Sequence, residues 1–261
     1  MKVALSIAGS DSSGGAGIQA DLKTFEAFGV FGTSVLTVLT AQNTAGVRDI
    51  QEVSPDFVKN QIEAVLEDFD VSAIKIGMLY SKEIIEVVKA IIKDLSIPIV
   101  LDPVFISKAG SPLLKEDAVE AMKTLFEDAL VITPNQYEAK ALFDYDFNDV
   151  STYEKLMEAP TAVLVKNHVQ EIEGDTVSSD QLFYAHERQT FQTPYLQTTN
   201  LHGTGCSYSS AIAANLALGH SLKTSIQNAK DFINAALLEA PSIGSGPGPI
   251  NHKAGGIKAL R

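Results

Sequence analysis

The chain has a single cysteine, Cys206, and no tryptophan among its 261 residues. One thiol cannot close an internal disulfide, and no Cys-x-x-Cys or Cys/His grouping has zinc spacing, so a disulfide scaffold and a zinc module are both excluded. Basic residues are also scarce: 20 Lys+Arg stand against 32 Asp+Glu, a formal charge of −12. Nucleic acid or an anionic membrane demands a basic footprint, so neither fits, and any phosphate-bearing ligand must be held by local groups. No stretch approaches the roughly 18 apolar residues that span a bilayer. The opening "MKVALSIAGSDSS" has only a short apolar run, Val3 to Ala8, before Gly9, which is too short for a secretory signal. These absences point to a reducing, cytoplasmic setting.

A hydrophobic content of 45% over this length suffices for a large core, and we read residues 1–261 as one domain. Short Val/Ile-rich runs alternate with segments of helical period, the pattern of a mostly parallel sheet covered by helices on both faces. Strands are expected at 3–8, 34–41, 73–77, 98–102, 129–133 and 162–166. Helical spacing marks "QADLKTFEAFG", "PDFVKNQIEAVLEDF", "SKEIIEVVKAIIKDL" and "KEDAVEAMKTLFED", with Ser54-Pro55 and Ser81 as start signals. Residues 181–185 and 189–195 predict a β-hairpin approached by a polar, mobile loop over 168–180. Two helices follow at 207–218 and 222–239. The Gly/Pro-rich "SIGSGPGPINHKAGG" (242–256) is expected to be irregular throughout.

Two glycine loops carry the chemistry. The first, "GSDSSGGAG" (9–17), follows the first strand and opens a helix whose N–H groups can face a ligand. It is not a Walker loop, because Gly15-Ala16 stands where Lys-Ser is required. A dinucleotide fold needs an acidic residue about 20 positions on, at the end of the second strand; here that strand ends in "TAQN", with Gln42. Asp11 suits a helix cap, whereas Asp21, deeper in the helix, is a better ligand candidate.

The second loop is "HGTGC" (202–206), where Gly203, Thr204 and Gly205 leave successive N–H groups free to converge on an anion. A cysteine at that helix start has its pKa lowered by the macrodipole, which makes Cys206 partly thiolate near neutral pH. The spacing leaves four roles open: covalent nucleophile, redox sensor, base for a substrate hydroxyl, or a buried thiol without chemistry.

Six ordered stretches, "LSIAGSDSSGGAGIQADLKTF", "TAQNT", "KIGM", "LDPV", "ITPNQYEA" and "HGTGCSYSSAIAANLALG", together resemble the hydroxymethylpyrimidine (phosphate) kinases of thiamine biosynthesis. These are ribokinase-like enzymes, close to pyridoxal kinases. The resemblance runs from about residue 4 to residue 240. It implies a three-layer α/β sandwich and ATP-dependent phosphorylation of 4-amino-5-hydroxymethyl-2-methylpyrimidine, then of its monophosphate. Pyridoxal kinase or dual activity is the nearest alternative; a sugar kinase or a non-catalytic binder explains the motifs less well.

The resemblance also implies roles. Cys206 becomes the proton acceptor, with Gly203, Thr204 and Gly205 around the moving phosphoryl. Asn135 and Glu138, in "TPNQYEA", match an N-x-x-E that positions Mg²⁺, and Asn135 also suits a helix cap. Lys166 and Asp102, at two strand ends, fall to the nucleotide phosphates. Gly9, Asp21, Gln42 and Met78 fall to the pyrimidine, and Gln42 offers both a donor and an acceptor to an aminopyrimidine edge. Family habit implies a homodimer. Three features depart from the pattern: Asn167-His168 follow Lys166 where the family has two glycines and a histidine, the stretch "VQEIEGDTVSS" is individual, and Leu201 stands where Thr is common.

Overall fold

The computed structural model describes residues 1–105 and 118–259. In chain order its elements are β1 (Val3–Ala8), α1 (Gly17–Ala27), β2 (Phe31–Leu36), β3 (Val38–Asn43), β4 (Gly46–Glu52), α2 (Pro55–Asp68), β5 (Val71–Ile76), α3 (Lys82–Ile92) and β6 (Ile99–Leu101). Then come α4 (Ala118–Lys123), β7 (Val131–Ile132), α5 (Gln136–Phe143), α6 (Glu154–Met157), β8 (Ala162–Ile172), β9 (Asp175–Tyr184), β10 (Glu187–Pro194), α7 (Thr204–Ala217), α8 (Leu222–Leu238) and α9 (His252–Ala259). The first residues of the fourth expected helix, 115–117, lie outside the described residues.

Among the described residues one sheet runs in the order β10-β9-β8-β7-β6-β5-β1-β2. The pairs from β8 to β2 are parallel, while β9 and β10 add antiparallel at one edge. Successive strand side chains point to opposite faces, and this alternation divides the core in two. Leu5, Ile7, Ile74, Ile76 and Leu101 pack with Ile62 of α2 and Ile85 of α3. Ala4, Ala73, Val100 and Leu164 pack with Phe25 of α1, Ile212 of α7 and Phe232 of α8. The result is three layers, helix, sheet, helix. No described helix is long and apolar enough to cross a membrane.

The expected strand 34–41 is two strands. The chain breaks at Thr37, whose N–H donates to Ala8 O (3.1 Å) and whose hydroxyl donates to Met78 O (2.7 Å). Beyond it, β3 leaves the main sheet and pairs with β4 as a separate two-stranded flap. Ser54 caps α2 by accepting from Phe57 N, as its position before Pro55 predicts. Ser81 precedes α3 but makes no cap bond.

Two expectations are corrected. Residues 168–180 are not a loop: β8 continues through them, turns at Glu173-Gly174, and returns as β9. Both turn residues have positive φ, 52° and 92°, as a two-residue hairpin turn requires. The stretch reads as loop because it is polar, and it is polar because the projecting hairpin is largely exposed. The Gly/Pro-rich tail is also not irregular throughout, since α9 starts at His252. A Cβ on Gly255 would lie 2.7 Å from the Phe232 ring, and one on Gly256 would lie 2.6 Å from Ala27 O. These glycines therefore permit close helix contact and do not break the helix.

Candidate active site

The two glycine loops meet back to back. Gly203 has φ +80°, and a Cβ there would collide with the Gly15 carbonyl oxygen, so only glycine fits. Asp11 ties the first loop together by accepting from Ser13 N (2.8 Å), Gly15 N (3.1 Å) and Ala16 N (2.8 Å). Its Oδ2 also lies 2.7 Å from His202 Nε2, which joins the first loop to the second. Burial pushes the Asp11 carboxyl up, but the bonds from His202, Ser13 and Ala16 hold it well below the usual carboxylate range. Asp11 is thus not the expected cap of α1, whose N-cap Ala16 has no side-chain cap bond; its carboxylate instead gathers the amides of the loop before the helix and joins that loop to its partner.

A cavity of about 900 Å³ opens beside these loops, the end of a parallel sheet where ligands bind. Gly203, Gly205 and Cys206 line it from the start of α7; Asp102 and Lys166 line it from the ends of β6 and within β8; Asn135 and Glu138 line it from the start of α5. Gly9, Gln42 and Met78 line it from the side of the flap. The flap is pinned there, because Thr40 Oγ1 donates to Ser10 O (2.8 Å) and Gln42 N donates to Ser12 Oγ (2.8 Å).

Two expected residues do not line the cavity. Thr204 turns its hydroxyl back to Leu201 O (3.0 Å). Asp21 lies fully buried, accepting from Ser6 Oγ (2.6 Å), Lys75 Nζ (2.8 Å) and Ser210 Oγ (2.7 Å). Lys75 and His202, which sequence reasoning missed, do line it. Lys75 alternates with Ile74 and Ile76 in a buried strand, a pattern that carries no signal of function by itself.

Lys166 Nζ lies 2.8 Å from Asp102 Oδ1, which also accepts from Thr133 Oγ1 (3.1 Å). Burial would push the Lys166 ammonium down, yet the carboxylates of Asp102 and Glu138 raise its pKa above the ordinary value. Burial opposes the Asp102 charge as well, and Lys166 and Lys75 together keep that carboxyl below its usual range. Asn135 and Glu138 form a reciprocal capping box: Glu138 N donates to Asn135 Oδ1 (3.0 Å) and Asn135 N donates to Glu138 Oε2 (2.7 Å). Burial, with Asp102 adding repulsion against the pull of Lys166, raises the Glu138 carboxyl to about 7.

Cys206 departs from expectation. Burial pushes its thiol up to about 11; Lys75 and the Gly17 amide pull it down, while Asp21 and Asp102 push it up. The sulfur sits in the third position of α7, half-buried at the cavity wall. Removal from water outweighs the pull of Lys75 and the Gly17 amide, so without substrate the group is a thiol at neutral pH.

Asn167 has φ +66°, a left-handed conformation that asparagine tolerates better than other non-glycine residues. It therefore takes up the conformation for which the usual glycines are suited. Its N–H donates to buried Asp180 Oδ1 (2.9 Å), fixing the backbone next to Lys166.

A three-layer sandwich that places a glycine turn at a helix start, a buried lysine–aspartate pair and a helix-start acid at the sheet's end has the architecture of a ribokinase-like small-molecule kinase. The sequence model of the phosphomethylpyrimidine kinase family matches residues 11–251. A hydroxymethylpyrimidine/phosphomethylpyrimidine kinase of Haemophilus influenzae is 45% identical over 264 residues, covering 97% of each chain. Among solved structures, a phosphomethylpyrimidine kinase from Clostridium difficile 630 superposes with a TM-score of 0.75 at 39% identity, over 90% of this chain and 98% of that one. The pyridoxal kinase of Bacillus subtilis, solved as an ADP complex, superposes with a TM-score of 0.85 at 33% identity, over 97% and 98%. The chain belongs to the phosphomethylpyrimidine kinase family.

Proposed function

We propose that the protein transfers the γ-phosphoryl group of ATP to the hydroxymethyl oxygen of 4-amino-5-hydroxymethyl-2-methylpyrimidine, and then phosphorylates the monophosphate to the diphosphate used in thiamine biosynthesis. The observation that carries this reading is the convergence of Gln42, Lys166, Asp102 and Cys206 on one cavity. Its volume of about 900 Å³ is within the range that takes a ligand larger than a single heterocycle.

Phosphoryl transfer asks the protein chiefly for alignment and charge stabilisation. The flap presents Gln42, whose backbone is held by Ser12 Oγ (2.8 Å), so the residue is placed before the pyrimidine arrives. Met78 offers an apolar, polarisable surface for the ring. Lys166 faces the phosphates, with Asp102 holding its ammonium in place. The amides of Gly205 and Cys206, at the positive end of α7, meet the charge on the phosphoryl oxygens. Cys206 accepts the hydroxyl proton as the new oxygen–phosphorus bond forms.

Mg²⁺ fits beside Asn135 and Glu138: a buried carboxyl raised towards neutrality is a group that a hard cation would restore to its charged form. Each already gives an oxygen to the capping box, so the ion would be held largely through waters, as Mg²⁺ prefers. Bound there, it would neutralise charge on the phosphates. We further propose that the protein works as a cytosolic homodimer, which sedimentation of the purified protein tests.

A second reading, pyridoxal kinase or dual activity, draws support from the likeness to the Bacillus enzyme. The deciding experiment supplies ATP and Mg²⁺ with the pyrimidine alcohol, its monophosphate or pyridoxal, and compares kcat/KM. Both pyrimidines are expected to be phosphorylated, with the alcohol preferred over pyridoxal. A large preference for pyridoxal overturns the first reading, and no transfer to any of the three overturns both.

A further inference from the structure

Two buried lysines flank the start of α7, each held by one carboxylate. Lys166 is paired with Asp102 beside Gly205, where a Cβ would lie 3.7 Å from Lys166 Nζ. Lys75 is paired with Asp21, and both side chains are fully buried. The functional reading uses the first pair and leaves the second without a task, although burying an ion pair costs desolvation that its mutual attraction only partly returns.

The geometry says where the second pair acts. Lys75 lies between Ile74 and Ile76, which face α2 and α3, so its side chain projects to the opposite face with Ala73, towards α7. Asp21 holds it there by one contact and is itself held by three donors: one carboxylate oxygen takes both Ser6 Oγ and Lys75 Nζ, and the other takes Ser210 Oγ. Ser210 is one turn beyond Cys206 on the same helix face. Gly77 leaves room for the ammonium, since a Cβ there would lie 2.7 Å from Lys75 Nζ. Lys75 and Cys206 both reach the cavity wall.

We propose that Lys75 is the positioning cation for Cys206: anchored by Asp21, its ammonium eases loss of the thiol proton, so that the sulfur can take the proton of the substrate hydroxyl. This rests on the reading of Cys206 as proton acceptor. Once the thiol has given its own proton to solvent, the proton of the hydroxyl oxygen moves to the sulfur while that oxygen bonds to phosphorus and the bond from phosphorus to the ADP oxygen breaks. Lys75 keeps its own protons throughout.

The charged groups whose fields reach the sulfur are those of Lys75 from β5, Asp21 from α1, Asp102 after β6 and Lys166 from β8. Their signs give opposite expectations for the two members of the pair. Lys75 favours the thiolate, whereas Asp21 opposes it.

Cys206 is the only thiol in the chain, so its alkylation by iodoacetamide, followed by intact mass without substrate, reports its thiolate fraction directly. At about pH 8.5, Lys75→Met is expected to alkylate about tenfold slower than the parent, equivalent to one pKa unit. Asp21→Asn is expected to alkylate faster. A structural disturbance alone would not move the two rates in opposite directions. Equal rates in parent and variants, or shifts of the same sign, overturn the proposal. If Lys75→Met does not fold, Asp21→Asn decides alone: a faster rate upholds the coupling, and an unchanged or slower one removes it. Opposed alkylation shifts in a protein that phosphorylates none of the acceptors would uphold the coupling while removing the kinase reading, so the two failures are distinguishable.

Discussion

Lys166 Nζ and Asp102 Oδ1 stand 2.8 Å apart with both side chains almost wholly buried. Neither charge has enough water to survive alone, so the pair is set as a unit, with Asp102 just after β6 and Lys166 within β8, across the intervening β7. Removing one partner strands the other. Lys166→Met is expected to lower stability by about 3–5 kcal/mol, the cost of an unpaired buried charge, and to raise the KM for ATP. Chemical denaturation and steady-state kinetics check both; a variant of parental stability would show that Asp102 finds another partner.

The thiol of Cys206, raised to about 11 from an ordinary 9.0, sets a pH dependence. A base must be deprotonated to act, and below its pKa the active fraction falls tenfold for each unit. If no substrate lowers the value, kcat/KM for the pyrimidine climbs about tenfold per pH unit from neutrality upward. Cys206→Ala is expected to lose about 10²- to 10⁴-fold in kcat while pyrimidine binding remains measurable by calorimetry. Near-parental turnover in that variant would end its assignment as base.

Glu138 gives a second pH signature, with stability as the readout. Its carboxyl is raised from 4.5 to about 7 on folding, so the folded chain holds the proton more tightly than the unfolded one. The resulting stabilisation is fully present below about pH 4.5 and is lost as pH rises through about 7. Glu138→Gln removes that dependence, and is expected to raise Tm relative to the parent at pH 8 but not at pH 4.5. It should also abolish stabilisation by added Mg²⁺; a Tm gain from Mg²⁺ that persists in the variant would place the ion elsewhere.

Gln42 tests the substrate side. Gln42→Leu keeps the bulk of the side chain but removes both its donor and its acceptor, which is expected to weaken pyrimidine binding by about 1–3 kcal/mol. KM for the alcohol should rise by about 10- to 100-fold with KM for ATP little changed. A parallel rise in both would mean that the flap has moved and that no recognition contact was specifically lost.

Where structure followed local rules, the sequence was readable. Ser54-Pro55 starts α2 because a hydroxyl before proline satisfies a free helix amide, and β1 runs over Val3–Ala8 as its apolar run predicts. Ten of the proposed site residues line the cavity because their glycine turns and strand ends already face that edge of the sheet. The misses share a cause. Asp21 reads as a ligand from its place early in α1, but Lys75, 54 residues away, draws it under the floor. The glycines of α9 read as breakers because the helices they touch are distant in the chain. Cys206 reads as acidic from the helix end alone, whereas its burial beside Asp21 and Asp102 raises the thiol.

The sequence by itself determined the alternation of strands and helices, the two glycine loops and the family, because these rest on neighbouring residues and on period. Only the tertiary structure decided which charges face which: that Asp11 binds His202, that Asp102 binds Lys166, and that Asp21 and Lys75 stand behind a thiol raised above its ordinary pKa. Electrostatic energies depend on burial and on separation in space, and neither quantity is written in the order of the chain.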